Sequence, residues 1–310
     1  MKTTIIFIFL FIWISGFAQQ DAYFTSYNYN LNSINPAFSM GNRGSLRAGL
    51  IHRRQWLGFE NAPNTSELFM HYAVSDRNEG AITIQNDNVN GLINESSIAL
   101  DYSHNFFVNA YSYFSLGIKA SVNLFSADLS SLSLESGDYT TDPSYLDNPK
   151  KIFPNFGVGA FWYDEDNNYY VGISIPNLFS KQYYNVSNSS YKYKLEHPHI
   201  YLTAGTLFEI ADDVITRPSF LIRYSNGNPL ILDINNMLKF HDKFELGLSY
   251  SLGTSVSVLA AIKFKENWKV GYNYSMPTTK LFGAQTGSHE IYLMYDVNFS
   301  GTRYRSTRSF

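Results

Sequence analysis

The chain has 310 residues, 23 Lys and Arg against 26 Asp and Glu, a formal charge of −3 and no cysteine. That balance gives nucleic acid no purchase, and the lack of thiols excludes disulfides, thiolate metal sites, cysteine nucleophiles and lipid attachment through cysteine. Charged residues make up 16% and aromatics 17%, with a mean hydropathy of −0.19. These values fit neither an ordinary soluble domain nor a bundle of membrane helices, and suit strands that alternate apolar and polar residues.

Lys2 precedes an apolar run from Ile5 to Ile14, followed by Gly16-Phe17-Ala18 and the polar Gln19-Gln20-Asp21. A charged start, a short apolar stretch and a small-residue exit predict a signal peptide over 1–18, cut after Ala18. Later in the chain no run reaches the ~18 apolar residues of a membrane helix, so a membrane form must cross as strands. Residues 19–42 are rich in Tyr and Asn. They are expected to enter the lumen of a barrel or to lie on its periplasmic rim.

From residue 43 to 299 the pattern has a period of two. Phe114, Leu116, Ile118, Ala120, Val122 and Leu124 share one parity, and Ser115, Gly117, Lys119, Ser121 and Asn123 the other. Phe244 to Tyr250 and Trp268 to Tyr274 repeat the alternation, apolar outward and polar inward. Strands are predicted at 43–52, 65–74, 79–87, 92–104, 112–126, 153–163, 168–176, 198–209, 214–224, 229–239, 243–251, 254–264, 267–276 and 288–299. The fold class is therefore all-β: a transmembrane antiparallel β-barrel of about fourteen strands in the outer membrane, both termini periplasmic. The long connections 53–64, 127–152, 177–197 and 277–287 all follow odd strands and are expected outside the cell. Lys119, Asn123, Asp101, Glu95, Glu245 and Lys269 are expected to line the lumen. Residues 300–310, with Arg303, Arg305 and Arg308, form a basic tail, either a solvated end or a contact for a periplasmic partner.

The sequence offers little catalytic chemistry. His197-Pro198-His199 places two imidazoles on one strand face with no third ligand nearby in the chain, which is a poor metal site. Ser288-His289-Glu290 has the letters of a triad, but adjacent strand residues face opposite ways. The acidic loop with Glu135, Asp138, Asp142 and Asp147 lacks calcium-loop spacing, and no phosphate loop, G-x-S-x-G or H-E-x-x-H occurs. No enzyme activity, cofactor or metal is expected.

A set of longer strings carries a resemblance. They are Gln20-Asp21-Ala22-Tyr23-Phe24-Thr25-Ser26-Tyr27, Ile34-Asn35-Pro36-Ala37-Phe38, Arg53-Arg54-Gln55-Trp56-Leu57-Gly58-Phe59, Asp87-Asn88-Val89-Asn90-Gly91, Pro154-Asn155-Phe156-Gly157-Val158-Gly159, Tyr170-Val171-Gly172-Ile173-Ser174-Ile175-Pro176-Asn177 and Gly287-Ser288-His289-Glu290-Ile291. In this order the chain resembles the PorP/SprF family of type IX secretion and gliding-motility outer-membrane proteins of the Bacteroidota. The resemblance implies a non-enzymatic barrel that supports export and surface attachment of large adhesins with C-terminal sorting signals. It also implies contacts with outer-membrane lipid and with periplasmic components of the system.

Candidate partner-binding residues are Arg53, Arg54, Gln55 and Trp56, where the first strand meets its outer loop, and Tyr183, Tyr184, Tyr191 and Tyr193 in loop 177–197. The arginines equally suit lipid phosphates or a luminal carboxylate, and Trp56 an interfacial anchor. Asn35 and Pro36 are expected to turn the chain into the first strand. Gly287, Ser288, His289 and Glu290 are expected to open the last strand and close its seam with the first. A passive channel for small solutes is the competing reading. A plugged lumen and aromatic outer loops would favour secretion, and an open charged eyelet the channel.

Overall fold

Alternation along the chain becomes a closed wall of strands. The computed structural model describes residues 23–41, 43–59, 61–128, 148–179, 198–226, 228–278 and 286–299. In chain order the strands are β1 (Ser45–Arg54), β2 (Asn64–Ala73), β3 (Asn78–Val89), β4 (Ile93–Phe107), β5 (Ser112–Ala127), β6 (Lys150–Asp164), β7 (Tyr169–Ile175) and β8 (Ile200–Thr206). They continue as β9 (Phe208–Ala211), β10 (Val214–Tyr224), β11 (Ile231–Phe240), β12 (Phe244–Ser251), β13 (Ser255–Lys263), β14 (Trp268–Pro277) and β15 (Ser288–Asn298). Consecutive strands pair antiparallel, except that β8 and β9 both pair with β10. They are two pieces of one stave, so the fifteen segments make a fourteen-stave sheet. The sheet closes through ten residue pairs between β1 and β15, from Ser45 opposite Asn298 to Arg54 opposite His289. Closure leaves no unpaired edge, which a lipid-embedded sheet cannot tolerate.

The parity read from the sequence decides which face meets lipid. On β5, Leu116, Ile118, Val122 and Leu124 are exposed, while Ser115, Lys119, Ser121 and Asn123 are buried. On β12, Leu246, Leu248 and Tyr250 are exposed and Glu245, Ser249 and Ser251 buried. An exposed apolar outside around a buried polar inside is the arrangement of an outer-membrane barrel. Among the described residues no helix is long and apolar enough to cross a membrane.

The ends of the barrel differ. β1 begins and β15 finishes at one end, where the turns 74–77, 108–111, 165–168, 212–213, 241–243 and 264–267 are short. The connections 55–63, 128–149, 176–199 and 278–287 all lie at the other end. Several boundaries differ from the predicted ones. The stave expected at 198–209 starts at Ile200 and is interrupted at Leu207: its amide continues the β7 register to the Asn168 carbonyl at 2.9 Å, while the ladder with β10 passes from Gly205 opposite Ser219 to Phe208 opposite Thr216. β11 starts at Ile231 instead of 229, since Pro229 has no amide to give the ladder. Residues 1–22 and 300–310, which hold the expected signal peptide and basic tail, lie outside the described residues.

Candidate functional site in the barrel lumen

Fourteen staves enclose more space than wall side chains alone fill. Residues 23–41 occupy it. This strap contains only two 3₁₀ turns, Tyr27–Tyr29 and Leu31–Ser33, so most of its amides need partners elsewhere. Inward carboxylates supply many of them. Glu290 on β15 accepts the Thr25 and Ser26 amides, both at 2.9 Å, together with the Ser26 hydroxyl and the Asn273 side-chain amide at 2.7 Å. Glu79 on β3 accepts the Met40 and Gly41 amides at 2.7 Å and the Ser39 hydroxyl. Glu67 on β2 takes the Asn30 side-chain amide at 2.7 Å, and Glu245 on β12 takes the Tyr29 hydroxyl. Elsewhere Lys119 donates to the Asn32 carbonyl at 3.0 Å, Ser174 to the Ile34 carbonyl at 2.6 Å, and Asn235 to the Tyr27 hydroxyl at 2.8 Å. Partners thus come from nearly every side of the ring.

Several of the buried charges are paired. Glu245 bridges Arg217 and Lys269, both at 2.7 Å, Glu79 lies 2.8 Å from His71, Asp101 lies 3.4 Å from Lys119, and Asp233 lies 3.0 Å from Arg223. An unpaired charge at such depth would cost several kcal/mol, so the pairs fix where the strap is accepted. Apolar contacts complete the fit. Phe38 packs edge-on against Phe161 and His71, and the Tyr29 and Tyr292 rings lie 4.7 Å apart.

Where the strap comes closest, the wall is bare. Gly117 on β5 is paired with Gly159 on β6. A Cβ on Gly117 would sit 2.3 Å from the Pro36 and Ala37 backbone, and one on Gly159 would sit 2.1 Å from Asn35 Oδ1. Asn35 donates to the Ala160 carbonyl at 3.2 Å and holds its own turn through the Ala37 amide at 2.9 Å. Asn35 and Pro36 therefore dock the strap against the wall midway along it, well before the chain enters β1. The gap between strap and wall at Asn28, Tyr29, Tyr170, Arg217, Ser219 and Met237 measures about 10 Å³, room for one water.

The other candidates separate. Arg53 turns inward, donating to the Tyr23 carbonyl, while Arg54 is exposed on the outer face. The expected cluster Arg53, Arg54, Gln55 and Trp56 is therefore not one surface, because strand alternation divides it. The Gln55 amide bonds to the Pro63 carbonyl at 2.8 Å, and the exposed Trp56 gives its amide to Ser288 Oγ at 3.3 Å. The Leu57 amide reaches the Gly287 carbonyl at 2.9 Å, which extends the β1–β15 seam beyond the strands. His289 faces outward to the Tyr272 hydroxyl while Glu290 faces inward, so the two share no site. Tyr183, Tyr184, Tyr191 and Tyr193 lie outside the described residues, as does His197; His199 stacks with Tyr201 at 6.5 Å. No group of three metal-ligating side chains occurs among the described residues. Glu67, Glu79, Gly117 and Gly159 were missed as strap contacts. Their inward parity was legible, but what they face was not.

A closed fourteen-stave barrel with an apolar outside and a filled lumen carrying buried polar and charged side chains defines an outer-membrane β-barrel protein. The family model described as "Type IX secretion system membrane protein PorP/SprF" matches residues 16–295, and the chain belongs to that family. No curated protein matches the chain. Among solved structures, the TodX deltaS2S3 mutant monoaromatic hydrocarbon channel is 10% identical, with a TM-score of 0.53 over 87% of this chain and 94% of that one. The CymD monoaromatic hydrocarbon channel is 10% identical, with a TM-score of 0.50 over 86% and 92%. At that identity the likeness is one of fold.

Proposed function

We propose that this barrel is an accessory of type IX secretion that supports export of large adhesins with C-terminal sorting signals and holds them at the cell surface. The end with the long connections then faces outward and the end with short turns faces the periplasm, where components of the same system are the expected partners. Family membership supplies the class, and the strap-filled lumen is the observation that carries the reading against a passive channel. A solute channel needs a continuous wet path, whereas here strap and wall are bonded around the ring. A rigid closed barrel also suits an anchor under drag, since extraction would break all its staves' pairings together.

The contact with adhesin is assigned to the outward loops, with Tyr183, Tyr184, Tyr191 and Tyr193 supplying broad rings with polar tips. Replacing these four by serine is expected to leave the barrel in outer-membrane fractions at wild-type level and to shift adhesin from cells into the medium. Normal surface adhesin in a full deletion strain lacking any paralogue would remove the function. Normal adhesin in the tyrosine variant alone would remove the loop assignment.

A further inference from the structure

The strap has a direction. Its Gly41 end lies at the short-turn end of the barrel: Gly41 bonds to Glu79, second residue of β3, and the Arg43 amide to Asp76 in turn 74–77 at 3.3 Å. The Gly44 amide then joins Ala73, the last residue of β2, at 2.8 Å, and β1 begins. The Tyr23 end lies elsewhere. Its carbonyl accepts from Arg53, one residue before the far end of β1, and its ring lies 3.8 Å from the Arg223 guanidinium, one residue before the far end of β10. Thr25 next to it reaches Glu290 and, at 3.3 Å, Ser275, both near the long-connection ends of β15 and β14. Between these ends the strap passes Glu67, Lys119, Ser174 and Gly159 in order.

We infer that the strap is threaded through the lumen, so that Tyr23 is part of the outer mouth while β1 starts at the periplasmic rim. The expectation of two periplasmic termini then fails for the N-terminal side. The chain before β1 crosses the membrane thickness inside its own barrel, and Tyr23, held between Arg53 and Arg223, lies at its outer mouth. The outward placement rests on the orientation taken under the proposed function; the threading itself does not.

The chain has no cysteine, so single cysteines report without background. Tyr23→Cys, Asn226→Cys in connection 225–230 and Arg43→Cys would be exposed to a membrane-impermeant maleimide on intact and on permeabilised cells. Threading predicts that Tyr23→Cys labels together with Asn226→Cys on intact cells, and that Arg43→Cys labels only after permeabilisation. If Tyr23→Cys behaves like Arg43→Cys while Asn226→Cys labels from outside, the inference is overturned. If Arg43→Cys labels from outside and both others do not, the orientation is wrong and the threading stands. A Tyr23→Cys that is unreactive in both states is decided by the pair Thr25→Cys with Ser275→Cys, whose hydroxyl positions lie 3.3 Å apart and which mild oxidation joins as a disulfide in a threaded strap and fails to join otherwise.

Discussion

Removing the Glu290 carboxylate should loosen the outer half of the strap while leaving the wall intact. Glu290 is 3% exposed and takes three hydrogen bonds from the strap, from the Thr25 and Ser26 amides and the Ser26 hydroxyl. At ~1.5 kcal/mol for each bond to a charged acceptor, the three are worth roughly 4.5 kcal/mol. Water entering the space left by Glu290→Ala restores part of this, so a net loss of about 2 kcal/mol is expected. That corresponds to about a thirtyfold larger population of the released strap. The backbone pairing of Glu290 with Arg53 and Asn273 is untouched by a side-chain truncation, so the barrel should still insert and keep its heat-modifiable mobility in gels. In planar bilayers the wild-type barrel should stay closed, and Glu290→Ala should show openings about thirtyfold more often. Glu290→Gln, which keeps one acceptor oxygen and loses the charge, should fall between them. A correctly inserted Glu290→Ala barrel that opens no more often than wild type would refute the assignment of Glu290 as a strap anchor.

Other perturbations test other parts of the architecture. Gly117→Ala puts a Cβ 2.3 Å from strap backbone and should cost ~1–3 kcal/mol and raise conductance, whereas Gly80→Ala, whose Cβ would lie 3.6 Å from its nearest neighbour, should do neither. Leu248→Arg, on the outer face at 63% exposure, should lower barrel stability in urea by ~2–4 kcal/mol if that position lies at the bilayer midplane, and an unchanged midpoint would place it in the headgroups. An epitope inserted within 127–152 should be labelled on intact cells and one at 164–167 should not, and reversed labelling would invert the orientation.

The sequence made the wall legible and left its contents obscure, for a physical reason. A strand's inward and outward faces follow from a period of two that each strand carries by itself. Leu116 and Lys119 declare their sides without knowledge of any other strand, and the long-connection parity follows from counting. The strap's bonds are of another kind. Thr25 and Glu290 are 265 positions apart, and nothing local to either identifies the other. The break at Leu207 was invisible for a related reason: it lies in the pairing with β10, which passes from Gly205 opposite Ser219 to Phe208 opposite Thr216, and not in the local alternation. Arg53 and Arg54 were grouped because they are adjacent, although the same alternation that marked the strands already placed them on opposite faces.

The strap and the wall fit each other by complementary omissions. Where the strap's chain runs closest, at Asn35 and Pro36, the wall presents paired glycines and offers two backbone carbonyls to Asn35. Where the strap leaves amides unpaired, at Thr25, Ser26, Met40 and Gly41, the wall presents Glu290 and Glu79. Around these anchors the filling is apolar: Leu31, Ile34, Phe38 and Met40 of the strap cluster with the inward Phe161 and Leu221, and Phe24 with Ile51, Phe69 and Leu259. The polar residues of the inner face, alternating with an apolar outer face, mark the register, and once buried they need polar partners. The strap's Asn, Ser and Tyr side chains answer that requirement together with its main-chain amides, so that both its backbone and its sequence are matched to the wall.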